Sequence, residues 1–374
     1  MTNIGNDADK RPRILLLGHG GTIGMLIRQL LGREVCDVPE NDEEFRAAVE
    51  KALAVLSTRV KITFEFITAK DSINVNHDDW SRLCERIRVA QDIEHYDAVA
   101  ATHGTDSKAH TASALALALN GINARLKWLR IPVVLSGAQN SIHHFGGDGR
   151  FNLENLLLTA IAAIEADVAE VLVNFWDRVL LGSRTMKVSE RRMDAFDSPA
   201  YPHVGRIDAN GVHLEKRLLP SPKQRYDTGP NCATISAQWG KGVVVLKLYP
   251  GFDPEIIRIL LNSGIVRALV LESLGEGNVC NEGDGNLLPM IEYATTSGIP
   301  VFISSQFPGG SANPTHYEAG RAAIKAGAIP CFDHTAPAID VKVRWLLANG
   351  VTNIADLATA MRTSYAGEVS QAEA

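Results

Sequence analysis

Residues 13–24 have the sequence RILLLGHGGTIG, and residues 98–107 have the sequence AVAATHGTDS. In each stretch a short apolar run, typical of a buried strand, ends in a glycine turn that carries a threonine: Thr22 in the first and Thr105 in the second. Parallel strands end at one edge of a sheet, where open α/β folds bind their ligands. The two stretches therefore predict a parallel sheet with two threonine hydroxyls at its binding edge, and they favour catalysis by threonine.

The rest of the chain alternates between strand-like and helix-like segments, which predicts a mostly parallel sheet covered by helices. In the first half the predicted strands are 14–17, 60–67, 98–102, 133–136 and 168–174, and the best predicted helices are 107–119 and 151–166. The alternation then restarts, with predicted strands 242–248, 266–272 and 301–305 and predicted helices 253–262, 287–297, 339–349 and 354–363. The predicted fold class is α/β, with a larger N-terminal, doubly wound, mostly parallel sheet domain and a smaller C-terminal α/β domain.

A change in composition separates the two predicted domains. Residues 199–239 are rich in Pro, Gly, Asp and Lys, which is typical of a crossover or linker. We expect an N-terminal domain with the catalytic threonines over 12–215, a linker over 216–238 and a C-terminal domain over 239–366. The residues after Tyr365, AGEVSQAEA, are expected to be frayed.

The composition argues against several classes of function. The chain has 374 residues, of which 45% are hydrophobic and 21% charged, as in a soluble enzyme of two domains. Its net charge is -6 and its basic residues do not cluster, so we expect no nucleic-acid partner. The first eleven residues lack the apolar core of a signal peptide, and no run approaches the about 20 apolar residues of a membrane span. We expect a cytoplasmic protein that does not act at a membrane.

Cysteines and histidines give no metal pattern. The five cysteines are far apart and form no CxxC pair, which argues against a disulfide framework and a zinc site. The adjacent His143 and His144 have no HxxxH spacing, and we interpret them as part of a polar loop. No metal site is predicted.

Small polar residues concentrate in the loops 18–24, 70–74, 102–107 and 136–149, each after a predicted strand. Glycines there let backbone N–H groups approach a ligand, and a donor aimed at a developing oxyanion is worth roughly 2.7 to 4 kcal/mol. Acyl transfer suits this arrangement. The alternative of a dinucleotide loop is disfavoured because the glycines do not follow G-x-G-x-x-G and no acid lies about 20 residues further on. A second alternative, that Thr105 or Asp106 merely caps the next helix, stays open.

Several motifs together resemble the bacterial L-asparaginases, most closely the cytosolic type I branch. The resemblance runs from about residue 13 into the C-terminal helices, and the pair GGTIG and HGTD is highly specific. The matching residues are Gly20 to Met25, Asp71-Ser72 with Trp80, His103 to Asp106, Ser136 to Gln139, Asp148-Gly149 with Asn152, Gly182 to Lys187 and Asp194 to Phe196.

The resemblance implies hydrolysis of a side-chain amide through an acyl-threonine intermediate, without a cofactor. It implies that Thr22 is the nucleophile and that Thr105, Asp106 and Lys187 form the second catalytic group, in which Lys187 helps to move a proton. In the substrate pocket, Asp106 would be a buried carboxylate that pairs with an α-ammonium group, for which L-asparagine is the favoured source. The other implied pocket residues are Ser72 and its neighbour Ile73, Ala138 through its carbonyl, and Gly21.

The chain departs from the family pattern at the lid and in the pocket. No tyrosine occurs between Met25 and Arg59, where the family supplies a lid tyrosine to the nucleophile. Candidate substitutes are Glu34, Asp37, Glu40 and Tyr226. Ile73 occupies a position that is normally polar, and Phe307 replaces the cysteine of the second asparagine site of type I enzymes.

These departures leave three interpretations open. The first is an asparaginase, the second a glutaminase or a specialised amidohydrolase for another carboxamide, and the third a non-catalytic amino-acid-binding relative. The resemblance also implies assembly into a homodimer or homotetramer.

Overall fold

The computed structural model describes residues 11–30, 33–37, 42–54, 56–220, 224–225, 234–313 and 316–370. The strands in chain order are β1 (Arg13–His19), β2 (Leu26–Leu30), β3 (Arg33–Asp37), β4 (Lys61–Thr68), β5 (Ala98–His103), β6 (Leu126–Lys127), β7 (Val133–Ser136), β8 (Val171–Phe175), β9 (Arg178–Leu181), β10 (Met186–Lys187), β11 (Phe196–Asp197), β12 (Gly205–Asp208), β13 (Gly211–Leu214), β14 (Gln224–Arg225), β15 (Val243–Lys247), β16 (Ala268–Ser273), β17 (Val301–Ser305) and β18 (Ile329–Pro330). The helices are α1 (Asp42–Leu53), α2 (His77–Asp92), α3 (Lys108–Asn120), α4 (Gly149–Glu165), α5 (Pro254–Asn262), α6 (Leu288–Thr296), α7 (Glu318–Lys325), α8 (Ala336–Ala348) and α9 (Ile354–Arg362).

The N-terminal part is built on an eight-stranded sheet with the order β13-β12-β9-β8-β7-β5-β1-β4. Its strands β4, β1, β5, β7 and β8 run parallel. The remaining strands β9, β12 and β13 extend the sheet in antiparallel pairs. The prediction of a larger, mostly parallel N-terminal sheet domain is confirmed.

The apolar runs form central strands because both faces of the sheet are covered. Along β1, Leu15 and Leu17 point to one core and Ile14 and Leu16 to the other, and all four side chains are fully buried. This alternation follows from the two-residue period of a strand. The sheet is therefore fixed in register by cores on both sides.

Helix α3 joins the two parts of the molecule. Its Ala/Leu run is buried on nearly every side, because it packs against the sheet and against α8 of the C-terminal part. A helix that is apolar all round is expected in such a position. As a result, the loop that precedes α3 and carries Thr105 is held by both parts.

The smaller C-terminal part contains the parallel four-stranded sheet β15-β16-β17-β18. The predicted strand 301–305 agrees with β17, and Asp253, at the start of a predicted helix, caps α5 by accepting from the Glu255 N–H. The predicted smaller α/β domain is confirmed.

Two local predictions are wrong. The stretch 199–239, predicted as a crossover or linker, contains the hairpin of β12 and β13, which continues the large sheet. Both strands are partly exposed, and β13 is the edge strand of the sheet, so their sequence lacks the apolar run of a central strand. The predicted strand 168–174 begins only at Val171.

The C-terminal tail is also ordered where fraying was expected. Ala366, Glu368 and Val369 are buried, and the backbone is described as far as Ser370. The polar and small residues of this stretch are typical of a disordered tail. A buried ion pair between Glu368 and Lys342 and backbone hydrogen bonds to Glu368 nevertheless hold it in place.

The described cysteines Cys84, Cys280 and Cys331 are free thiols. Burial raises the pKa of the Cys84 and Cys331 thiols, so both stay protonated at neutral pH. None of the helices in the described ranges is both long and apolar enough to cross a membrane.

Candidate active site

Three of the predicted loops touch one another through glycines at the carboxyl edge of the large sheet. Gly21 has a φ of +86°, and a Cβ built on it would lie 2.4 Å from the Gly104 nitrogen. A Cβ on Gly104 would lie 2.5 Å from the Ser72 Oγ. Only glycine permits such approaches. Thr22 and Thr105, which directly follow these two glycines, therefore stand at the ends of the adjacent strands β1 and β5.

Lys187 reaches across to the loop after β5. Its Nζ donates to Thr105 Oγ1 at 2.8 Å and to Asp106 Oδ1 at 2.6 Å. The lysine is mostly covered, with 20% of its side chain exposed, and Thr105 is buried. Among the implied catalytic residues, the structure brings these three into direct contact. A lysine held between a hydroxyl and a carboxylate can hold a proton and pass it on.

Lys187 lies in a small two-stranded antiparallel sheet, separate from the large sheet. It lies on the short strand β10, opposite Phe196 of β11, and follows a 3-10 turn over Gly182–Arg184. A Cβ on Gly182 would lie 2.9 Å from Val171 Cγ1, so this turn is packed tightly on the large sheet. The packing of this turn on the large sheet thus helps to bring Lys187 to Thr105, although the two residues are far apart in the sequence.

Ser72 is buried beside the same loop. Its Oγ accepts a hydrogen bond from the Asp106 N–H at 3.2 Å, and its carbonyl accepts one from Ser107 Oγ at 2.6 Å. The neighbouring Ile73 is 70% exposed, and its N–H donates to the Asp71 carboxylate at 3.2 Å. Ser72 therefore belongs to the contact between the loops, while Ile73 projects into solvent.

Ala138 is fully buried in a loop that an acidic residue organises. The Asp148 carboxylate, itself buried, accepts from the N–H groups of Gln139 at 2.9 Å and Asn140 at 2.8 Å. The Asn152 amide donates to the Gly137 carbonyl at 2.8 Å and to Asp148 at 3.0 Å. Asp148 and Asn152 thus fix the backbone on either side of Ala138, a role that the sequence motif did not reveal.

Two histidines form part of the floor below the loops. The His19 and His103 rings stack with centroids 4.9 Å apart, and His103 contacts the Gly104 carbonyl through Nδ1 at 2.8 Å and Thr111 Oγ1 through Nε2 at 2.9 Å. Burial lowers the pKa of His19 to about 4 and that of His103 to about 3. Both rings are neutral at physiological pH.

Lys108, in the first turn of α3, is a buried amine that sequence reasoning missed. Its Nζ lies 4.0 Å from the ring centroid of Phe175 and 4.1 Å from that of Phe196. Burial lowers its pKa well below the usual value, and the charge of Lys187 acts in the same direction. A position in the turn after Asp106 gave no indication that this lysine would point into an aromatic cage.

Comparison with known proteins identifies the family. The family model "Asparaginase, N-terminal" matches residues 13–220, and the model "Glutaminase/Asparaginase C-terminal domain" matches residues 242–361. The chain belongs to the asparaginase family. It is 30% identical over 365 residues to a subunit of the glutamyl-tRNA(Gln) amidotransferase of Pyrococcus abyssi, covering 96% of this chain and 77% of that protein.

Two further proteins similar to this asparaginase-family chain are named L-asparaginases. L-asparaginase 1 of Escherichia coli is 31% identical over 284 residues, which cover 76% of this chain and 78% of that protein. The solved structure of the thermostable L-asparaginase from Thermococcus kodakarensis superposes with a TM-score of 0.77 at 28% identity, covering 96% of this chain and 99% of that one. The family supports hydrolysis of an amide substrate.

Two sequence interpretations of this asparaginase-family site are wrong. Asp106 is not a buried carboxylate, because 56% of that side chain is exposed and its positive partner is Lys187. The helix-cap alternative also fails, since the N-cap of α3 is Ser107, without a side-chain capping bond. Thr105 and Asp106 precede the N-cap of α3, and both side chains accept a hydrogen bond from Lys187.

The four candidate substitutes for the lid tyrosine fall outside the described side chains. Glu40 and Tyr226 lie outside the described residues, and Glu34 and Asp37 lie on β3, of which the structure describes the backbone. The described start of the lid segment is tied down by a hydrogen bond from Ser141 Oγ to the Met25 carbonyl. Within the part of the chain that the structure describes, no group of three or more His, Cys, Asp or Glu side chains could hold a metal ion.

Proposed function

We propose that this protein hydrolyses the side-chain amide of L-asparagine to L-aspartate and ammonia through an acyl-threonine intermediate. The observation that carries the proposal is the contact of Lys187 Nζ with Thr105 Oγ1 and Asp106 Oδ1 beside the turn that bears Thr22. A lysine, a hydroxyl and a carboxylate meet there at the binding edge of a parallel sheet. The membership in the asparaginase family supports the class of reaction.

In the first step, Thr22 Oγ1 attacks the carbonyl carbon of the side-chain amide. The hydroxyl proton passes by way of Thr105 and Lys187 to the amide nitrogen, the carbon–nitrogen bond breaks, and ammonia leaves. The backbone N–H groups of the glycine turns are the candidate donors to the developing oxyanion, a contribution of roughly 2.7 to 4 kcal/mol for each donor. Water then attacks the ester, releases aspartate and restores the Thr22 hydroxyl.

The substrate is held at its amino-acid end. Asp106 has an exposed carboxylate that can meet an α-ammonium group, and Ser72 with nearby N–H groups can bind the α-carboxylate. The carbonyl of Ala138, on the backbone that Asp148 fixes, orients the amide. Gly21 gives the backbone room beside the nucleophile, and the exposed Ile73 contributes an apolar rim.

A second candidate is ammonia supply to an amidotransferase reaction, with glutamine or another carboxamide as the amide donor. The specific observation in its favour is the similarity to the glutamyl-tRNA(Gln) amidotransferase subunit of Pyrococcus abyssi, which extends over nearly the whole of this chain. The apolar Ile73 at the pocket rim is compatible with a substrate other than free asparagine.

Several finer assignments belong to the same proposal. The relationship to L-asparaginase 1 supports a place near the type I branch. We propose the cytoplasm as the location. We propose domains over 12–215 and 239–366 with a connecting segment over 216–238, and assembly as a homodimer or homotetramer.

The test is ammonia release by the purified protein from L-asparagine, L-glutamine, D-asparagine and succinamic acid, beside the variant Thr22→Ala. The proposal expects activity on L-asparagine that the variant lacks. Preference for L-glutamine would favour the second candidate. Activity that survives in Thr22→Ala would show that the nucleophile is another residue.

A further inference from the structure

The C-terminal tail contacts the turn that precedes Lys187. We call residues 365–370 the C-terminal clasp. Ser183 Oγ donates to the Ala366 carbonyl at 2.8 Å, and Arg184 Nε donates to the Gly367 carbonyl at 2.6 Å. Ser183 and Arg184 belong to the 3-10 turn shortly before Lys187. The clasp thus binds the loop that delivers the lysine.

Arg184 joins this turn to the C-terminal part of the molecule. The side chain is 1% exposed, and its NH1 group donates to the Asp333 carboxylate at 2.9 Å and to the Asp333 carbonyl at 3.1 Å. Its NH2 group donates to Ser370 Oγ at 3.2 Å. The planar guanidinium fixes the directions of these bonds. Since a buried cation needs its partners, the position of the turn depends on the clasp and on Asp333.

The clasp is anchored by a buried ion pair. The Glu368 carboxylate lies 2.7 Å from Lys342 Nζ on α8, and neither side chain is exposed. Glu368 also accepts from the N–H groups of Tyr365 at 3.0 Å and Ala366 at 2.7 Å. Burial alone would raise the pKa of Glu368, but Lys342, His334 and the backbone donor lower it to about 2.

The geometry leaves the turn little freedom. A Cβ on Gly182 would lie 3.3 Å from the Ala112 carbonyl of α3. Gly367 has a φ of +80°, and a Cβ there would lie 2.6 Å from Leu181 Cδ2. The turn therefore packs against both α3, which begins after Asp106, and the clasp.

We propose that the C-terminal clasp is a positioning element for the catalytic lysine: through Ser183 and Arg184 it fixes the turn from which Lys187 reaches Thr105 and Asp106. Arg184 and Glu368 are the positioning residues. The inference rests on the proposed role of Lys187, which it deepens by assigning the tail a part in the reaction.

The test compares Glu368→Gln with a matched control, Glu170→Gln. Both substitutions neutralise a buried carboxylate paired with a lysine, but Glu170 pairs with Lys127 of β6 and not with a residue of the clasp or of α8. Ser183→Ala, which removes one hydrogen bond to the clasp, serves if Glu368→Gln does not fold. Activity is measured where circular dichroism shows each variant folded.

For the clasp variants we expect kcat to fall on the order of 10- to 100-fold, with KM changed much less, because a small misplacement of a catalytic group has an effect of this size. Glu170→Gln keeps its kcat even where it lowers the melting temperature. In the background of Lys187→Met, Glu368→Gln causes no further loss, since both act through one group. A wild-type kcat in folded Glu368→Gln and Ser183→Ala, or an equal loss in Glu170→Gln, would overturn the proposal.

Hydrogen exchange keeps this inference separate from the proposed function. The amides of residues 182–187 should exchange faster in the clasp variants than in the wild type and in Glu170→Gln. If the wild-type protein released no ammonia, the proposed function would fail, and the exchange rates would still decide whether the clasp holds the turn. Unchanged exchange in the clasp variants contradicts the inference whatever the activity.

Discussion

Lys187 Nζ lies 2.8 Å from Thr105 Oγ1, although 82 positions separate the two residues in the chain. Thr105 follows β5, a central strand of the large sheet, and Lys187 lies on β10, which pairs antiparallel with β11 in a separate small sheet. This contact joins the two sequence motifs into one polar group. Proton transfer in the proposed reaction depends on it.

Replacing Lys187 tests the contact directly. Lys187→Met should lower kcat on the order of 10³-fold or more, because the variant keeps the shape of the site but cannot hold the proton. Its melting temperature should change little, since the ammonium group is partly exposed and its partners lie at the sheet edge. The measurement is steady-state ammonia release with thermal unfolding. A kcat within about tenfold of the wild type would exclude Lys187 from the proton path.

The close approach of Gly21 to Gly104 predicts a large effect of a single methyl group. Gly21→Ala should lower the free energy of unfolding by several kcal/mol, because it combines a positive φ with a clash against backbone at 2.4 Å. The control is Gly350→Ala, where φ is +80° and a Cβ meets nothing within 4 Å. The control should lose only about 1 to 2 kcal/mol in urea unfolding. Equal losses in the two variants would contradict the predicted contact between the loops.

Asp148 is predicted to control the loop that carries Ala138. Asp148→Asn should lower kcat/KM by about 10- to 100-fold, because its amide would present a donor to one of the N–H groups from which the carboxylate now accepts. The control Asp208→Asn alters an exposed carboxylate that accepts from the Asn210 N–H in a hairpin turn. It should leave ammonia release unchanged. An equally active Asp148→Asn enzyme would show that this loop tolerates movement.

Stability should fall on the acid side of neutrality because of buried histidines. Burial lowers the pKa of His19 to about 4 and that of His103 and His334 to about 3, while each returns to about 6.5 in the unfolded chain. Between these values the unfolded state binds more protons, so the free energy of unfolding rises with pH and levels off above about 6.5. Each histidine contributes a slope of about 1.4 kcal/mol per pH unit.

Urea unfolding at a series of pH values between about 4.5 and about 7.5, a range that these pKa values define, measures this slope. His19→Leu should make the slope shallower by the share of one histidine. A slope that stays the same in His19→Leu would mean that His19 does not titrate as a buried group.

The sheet, the glycine loops and the two threonines could be predicted from the sequence, since these features have local patterns. Apolar runs such as 14–17 define buried strands, and a glycine turn at each strand end defines the binding edge. The hairpin of β12 and β13 was missed because these two strands, at the end of the sheet, are partly exposed and have no continuous apolar run. Local pattern therefore describes the centre of the sheet better than its edge.

The parts of the site that depend on distant contacts could not be predicted from local pattern. The fold of the tail around Glu368 depends on Lys342, which lies on α8, and the polar composition of the tail gave no sign of this contact. The burial of Lys108 depends on Phe175 and Phe196 from two other strands. Asp148 was part of a motif, but its hydrogen bonds to the loop became visible only in three dimensions.

The measurement that tests the proposed nucleophile most directly is mass spectrometry of the protein quenched in acid during turnover of L-asparagine. We expect that the peptide containing Thr22 carries an added aspartyl group, that Thr22→Ala carries none, and that the adduct disappears when substrate is exhausted. An adduct on Thr105, or steady ammonia release without any adduct on Thr22, would contradict catalysis by Thr22.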